Sequence, residues 1–124
     1  MKTLLNLEIS GLPPTTNHIY RTSRGSFRYK TAETRLWQEQ TIAIIKKSYQ
    51  QPTFTGRVVL HITITTHDKR RWDLDNRIKA LQDCLAPAGV IKDDSQIWGI
   101  YIKRKLAQKT STKIILKMLD IVLH

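Results

Sequence analysis

The stretch Arg57-Val58-Val59-Leu60-His61-Ile62-Thr63-Ile64-Thr65 alternates with a period of two. Val58, Leu60, Ile62 and Ile64 point to one side and Val59, His61, Thr63 and Thr65 to the other, the pattern of a half-buried strand. Downstream, Leu74, Ile78, Leu81 and Leu85 recur at helical spacing. They predict a second helix from about Asp75 to Ala86, closed by Pro87 and Gly89. Two more strands are expected, from about Gln96 to Lys105 and from Thr112 to Val122, joined by the polar stretch Ala107 to Ser111 as a hairpin turn. Upstream, Thr31 can cap a helix from Ala32 to about Tyr49. Glu33 lies in its first turn, Lys46 and Lys47 in its last, and Trp37, Thr41, Ile44 and Ile45 form its apolar stripe. Leu4 to Ile9 reads as a first strand, ended by Gly11 and Pro13-Pro14. The order β-α-β-α-β-β predicts an α/β (α+β) sandwich, with two helices packed on one mixed sheet, in a single domain over residues 1–124. Residues 11–31 show no sustained periodicity, and so long a connection in a compact domain tends to be functional or mobile.

Charge narrows the function. The chain has 124 residues and a formal net charge of +11. That excess points to a polyanionic partner, because Lys and Arg that neutralise phosphates release condensed counterions. The apolar runs, such as Ile114 to Leu116 and Ile121 to Leu123, are far too short to span a bilayer. Met1-Lys2-Thr3-Leu4-Leu5 lacks the apolar core of a signal peptide. The single cysteine, Cys84, excludes an intramolecular disulfide and suits helix packing better than chemistry. A cytoplasmic protein is expected.

Six of the ten carboxylates, Asp68, Asp73, Asp75, Asp83, Asp93 and Asp94, fall within a short span of this basic chain. Acids near phosphate add nothing to DNA affinity, so such a concentration is either structural or metal-ligating. Asp73-Leu74-Asp75 lies at a strand-to-helix junction. In extended chain, carboxylates two apart point to the same side, roughly 7 Å apart at the backbone. Mg²⁺ takes oxygen ligands and keeps several waters, so two or three converging carboxylates suit it. The plain alternatives stay open. Asp75 is a good helix N-cap, Asp73 can pair with Arg70 or Arg71, and Asp75 and Lys79 have the spacing of a surface ion pair. Asp93-Asp94 can supply a third ligand after the second helix, or form an ordinary acidic turn with Ser95. His18, His61, His67 and His124 lack metal-site spacing.

Asp73-Leu74-Asp75-Asn76, followed by Lys79 and then by Asp93-Asp94 after a helix ending near Gly89, closely resembles the RusA family of Holliday-junction resolvases. Pro13-Pro14-Thr15-Thr16-Asn17 and Tyr20-Arg21 look like that family's Pro-Pro-Ser/Thr-x-Asn stretch and its aromatic-basic loop. The resemblance implies a dimeric, Mg²⁺- or Mn²⁺-dependent endonuclease that nicks opposed strands of a four-way junction. Many such enzymes are encoded by prophages. Carried over by matching position, Asp73, Asp75 and Asp94 look like the catalytic metal ligands and Lys79 like the catalytic-site lysine. Asp94 is preferred to Asp93 because the family's essential acid is the second of the pair. The sequence departs from the family at Trp72, where a run of arginines can continue into the acids.

The DNA surface is expected from Arg21, Arg24, Arg28 and Lys30 in the long loop, Arg70 and Arg71 beside the acids, and Lys103, Arg104 and Lys105 near the last turn. A two-fold substrate implies a homodimer, since one chain carries one acidic constellation. Two other readings fit the same residues: a non-catalytic nucleic-acid-binding module, and a metal-dependent nuclease acting on other branched DNA.

Overall fold

The computed structural model describes residues 2–14, 20–22, 28–67 and 77–119. Its elements are β1 (Thr3–Ser10), β2 (Tyr20–Thr22), β3 (Arg28–Lys30), α1 (Ala32–Ser48), β4 (Val58–Thr66), α2 (Lys79–Gln82), β5 (Ile97–Leu106) and β6 (Ser111–Met118). Four strands form one mixed sheet in the order β1-β6-β4-β5. Strand β5 runs parallel to β4, and the other neighbours are antiparallel. This is the expected α+β architecture.

The alternation of β4 sets the layers. Leu60 lies opposite Leu116 and Ile62 opposite Ile114, and β1 continues the row with Leu5 opposite Leu116. These side chains join Ile45 of α1 and Leu81, Cys84, Leu85, Val90 and Ile91 of the α2 segment in one core. Ile62, Ile64 and Leu85 are fully buried, so truncating any of them to Ala should cost about 2–5 kcal/mol. Cys84 packs in this core with its thiol donating to the Ala80 carbonyl at 3.2 Å.

Three expectations need correction. The stretch from Ala107 is not a hairpin turn, because β4 lies between β5 and β6. Val58, Val59 and Leu60 are all buried, and β4, the most buried strand, takes an inner place in the sheet with β6 on one side and β5 on the other. The backbone N–H of Ala107 accordingly donates to the Thr66 carbonyl at 2.9 Å. On α1 the buried line is Thr34, Gln38, Thr41 and Ile45, while Ile44 is 41 % exposed. Ile44 sits about 100° around the helix from Ile45 and so off that line. The second helix is shorter than expected. After Gln82 the chain continues in turns to Gly89, whose φ of 83° favours glycine and ends the segment. The expected helix start at Asp75 and the expected end of the last strand at Val122 lie outside the described residues.

Two features were not legible beforehand. Within residues 11–31, β2 and β3 pair as a separate antiparallel ribbon, with Arg21 opposite Tyr29. Strands of three residues are too short to show a period. The α1 and α2 segments are also joined by a buried polar contact, Gln38 Nε2 donating to the Ala80 carbonyl at 3.0 Å. Among the described residues, no helix is long and apolar enough to cross a membrane.

Candidate active site and nucleic-acid interface

The parallel β4–β5 pair requires a crossover, and the α2 segment supplies it. The crossover ends in the turn that carries Asp93 and Asp94. Asp93 caps a single 3₁₀ turn, Asp94–Gln96, with its carboxylate accepting from the Ser95 backbone N–H at 3.0 Å. Gln96 closes the box from the other side. Its Oε1 accepts from the backbone N–H groups of Lys92 and Asp93 at 2.7 and 2.9 Å. Its Nε2 donates to the carbonyls of Phe54 and Gly56, both at 2.8 Å. One side chain thus ties the acidic turn to the segment that enters β4.

The box gives the two carboxylates different surroundings. The Ser95 hydroxyl and backbone amide hold the Asp93 carboxyl below its usual range, and Asp93 is exposed. Asp94 is half-buried, and burial pushes its carboxyl above the usual range. Asp83 adds to that rise, Lys79 opposes it, and Asp93 contributes least. Lys79 and Asp83 pair one helical turn apart, Nζ to Oδ1 at 3.2 Å. The structure therefore brings Lys79, Asp83 and Asp94 into one electrostatic group. Asp83 was not singled out from the sequence, although its i, i+4 spacing from Lys79 was there to be read. Gln96 was missed too, and Asp93-x-x-Gln96 was its capping-box signal.

Asp73 and Asp75 lie outside the described residues. Among the described residues, no three His, Cys, Asp or Glu side chains converge to hold a metal ion. Just beyond the undescribed stretch, Arg77 Nη1 donates to the Pro13 carbonyl at 3.0 Å. This links the Pro13-Pro14 segment to the start of α2. His61 stacks on Tyr101 with ring centroids 5.0 Å apart, and His67 Nδ1 lies 3.0 Å from Thr110 Oγ1.

The basic residues separate by position. In the β4–β5 register Lys103 lies opposite Thr63 and Lys105 opposite Thr65. Both lysines are exposed on the face away from the core. Arg104, one residue out of phase, turns the other way, and its Nε and Nη2 each donate to Thr66 Oγ1 at 3.3 Å. Arg21, Arg28 and Lys30 belong to the β2–β3 ribbon. Arg24, Arg70 and Arg71 lie outside the described residues.

The arrangement is a carboxylate with a raised pKa within electrostatic reach of a lysine, on a stapled turn of a basic protein. The family model for endodeoxyribonuclease RusA matches residues 11–117. The crossover junction endodeoxyribonuclease RusA of Aquifex aeolicus is 25 % identical over 114 residues, covering 92 % of this chain and 90 % of that protein. The crossover junction endodeoxyribonuclease RusA of Escherichia coli (strain K12) is 35 % identical over 85 residues, covering 68 % of this chain and 70 % of its own. That of Enterobacteria phage 82 is 36 % identical over 85 residues, with the same coverage. The chain therefore belongs to the endodeoxyribonuclease RusA family and is an endonuclease.

Proposed function

We propose that this chain resolves four-way (Holliday) junctions in the cytoplasm, acting as a homodimer that makes paired, Mg²⁺-dependent nicks. The relatives are named for crossover junctions. The observation that supports the reading in this chain is the half-buried Asp94 carboxyl, raised by burial and within electrostatic reach of the Lys79–Asp83 pair. A half-buried carboxylate raised by burial and by a second carboxylate is a site where a divalent cation relieves an unfavourable charge. Asp73, Asp75 and Asp94 are the residues that would hold it. Bound there, Mg²⁺ would polarise the scissile phosphate and lower the pKa of its water.

The chain's own residues set the rest. Gln96 keeps the Asp94 turn from shifting against the segment entering β4. Asp83 orients the Lys79 ammonium, a fixed positive charge for the phosphate as negative charge grows on its oxygens. Lys103 and Lys105, with the basic β2–β3 ribbon, would carry the DNA arms. A junction is two-fold, and one chain brings one acidic group, so two copies are needed for opposed nicks.

The test is incubation with a synthetic four-way junction and with a flap duplex of the same sequence, with and without Mg²⁺, alongside sedimentation. Paired nicks on the junction, only in Mg²⁺ and by a dimer, are expected. Equal cutting of the flap would make it a general branched-DNA nuclease. Binding without cutting in any divalent cation would leave a non-catalytic binding module.

A further inference from the structure

Next to the Asp94 turn lies an open cleft of about 410 Å³, lined by Thr55, Gly56, Arg57, Ser95, Gln96 and Trp98 with Leu119. Trp98 is 61 % exposed, an unusual position for so large an apolar ring. The Arg57 guanidinium sits over it, 4.2 Å from the ring centroid. Among the described residues of the lining, Arg57 is the one charged side chain. The cleft is joined to the acidic turn directly, because Ser95 follows Asp94 and Gln96 is the residue that staples that turn. Gly56 is packed closely against Phe54 behind the lining. A Cβ there would come within 2.7 Å of the Phe54 ring, so a side chain would have to displace Phe54.

We infer that Trp98 is a stacking platform for an unpaired nucleobase of the DNA substrate, with Arg57 contacting the phosphate beside that base. A tryptophan face accepts any base, and such stacking is strong and tolerant of sequence. An arginine on the same ring offers donors to a phosphate while holding the indole in place by cation–π attraction. Carboxylates would repel a strand, and none of the described lining residues carries one, while a net charge of +11 draws a strand in. The lining adjoins Asp94, so a base seated here belongs to a nucleotide close to the cut. At a branch point bases are less well stacked than in duplex, which lowers the cost of taking one out. The platform thus gives a preference for branched or frayed DNA by holding a base that intact duplex keeps stacked. This rests on the junction reading above, and the experiment separates the two.

The full-length protein is titrated, without divalent cation, with oligothymidylate of twelve nucleotides, with a four-way junction and with unbranched duplex. Tryptophan emission and affinity are both read. Both short-strand and junction binding should quench emission, duplex much less. Trp98→Phe should keep affinity within roughly threefold but lose most of the quench. Trp98→Ala should weaken junction and oligothymidylate binding by on the order of tenfold, with duplex binding little changed. Arg57→Ala should lower the slope of log affinity against log salt by about one. Wild-type affinity in Trp98→Ala, or an unchanged quench in Trp98→Phe, overturns the inference. So does a Trp98→Ala chain that sediments as a smaller species than wild type, which would make this ring a contact between copies. A wild-type protein that shows the Trp98-dependent quench yet cuts no four-way junction in Mg²⁺ sinks the junction reading and upholds the platform.

Discussion

Lys79 Nζ lies 3.2 Å from Asp83 Oδ1, one helical turn away and within electrostatic reach of Asp94. The lysine is about half exposed, so the pair adds only about 0.3–0.5 kcal/mol to stability, as exposed i, i+4 pairs do. Under the proposed function its larger effect is to aim the ammonium. Asp83→Asn should slow junction cutting by on the order of tenfold, with little change in melting temperature. Lys79→Ala should slow it further, and adding Asp83→Asn to Lys79→Ala should cost nothing more. Single-turnover rates for the four proteins check this. Independent, additive losses would show that Asp83 does not act through Lys79.

Asp94 and Asp93 should respond differently to the same change. Asp94→Asn removes a proposed ligand and should nearly abolish cutting while junction binding persists. Asp93→Asn keeps a good capping residue and should leave most of the activity. Stability has its own sign. The Asp94 carboxyl is raised in the fold, so ionising it disfavours the folded state at pH above that raised value. Without divalent cation, Asp94→Asn should therefore raise the melting temperature at neutral pH. The gain should vanish as pH falls below the ordinary aspartate range, where both states are protonated. Thermal melts across pH read this directly, and a neutral-pH loss of stability in Asp94→Asn would contradict it.

Gln96 makes hydrogen bonds to four backbone groups. At about 0.5–1.5 kcal/mol each, Gln96→Ala should destabilise by about 2–6 kcal/mol in urea unfolding. Gln96→Glu keeps the acceptor but sets a carboxylate oxygen against the Phe54 and Gly56 carbonyls, so it should destabilise at least as much as Ala. Both should lower cutting more than junction affinity, because the Asp94 turn is released while the basic surfaces remain. A silent Gln96→Ala would mean that the turn holds itself.

Lys103 and Lys105 point away from the core, whereas Arg104 bonds Thr66. Neutralising both lysines should reduce the slope of log junction affinity against log salt by about two. Arg104→Met should leave the slope nearly unchanged and show its effect as lost stability. Binding titrations between low and moderate salt separate the two outcomes. A slope change confined to Arg104→Met would reverse the assignment of the DNA face.

The sequence alone was enough to establish a basic, DNA-directed α+β chain, because net charge, period-two alternation and helix caps are local properties. The alternation of Val58 to Thr65 marked the buried face of β4, and Thr31 marked the start of α1, where its hydroxyl accepts from the Thr34 amide. The acidic motif and its family resemblance were equally local. Which strands became neighbours was not. The polar stretch from Ala107 reads as a hairpin turn from composition, yet β4 lies between the strands it joins. Central position is won by competition among strands for burial, a property of the whole core. The placements of Asp83 and Gln96 escaped the sequence for the same reason. Gln96 matters through carbonyls about forty residues away. The burial that raises the Asp94 carboxyl comes only when the crossover brings its turn back against the sheet, and no spacing along the chain records that return.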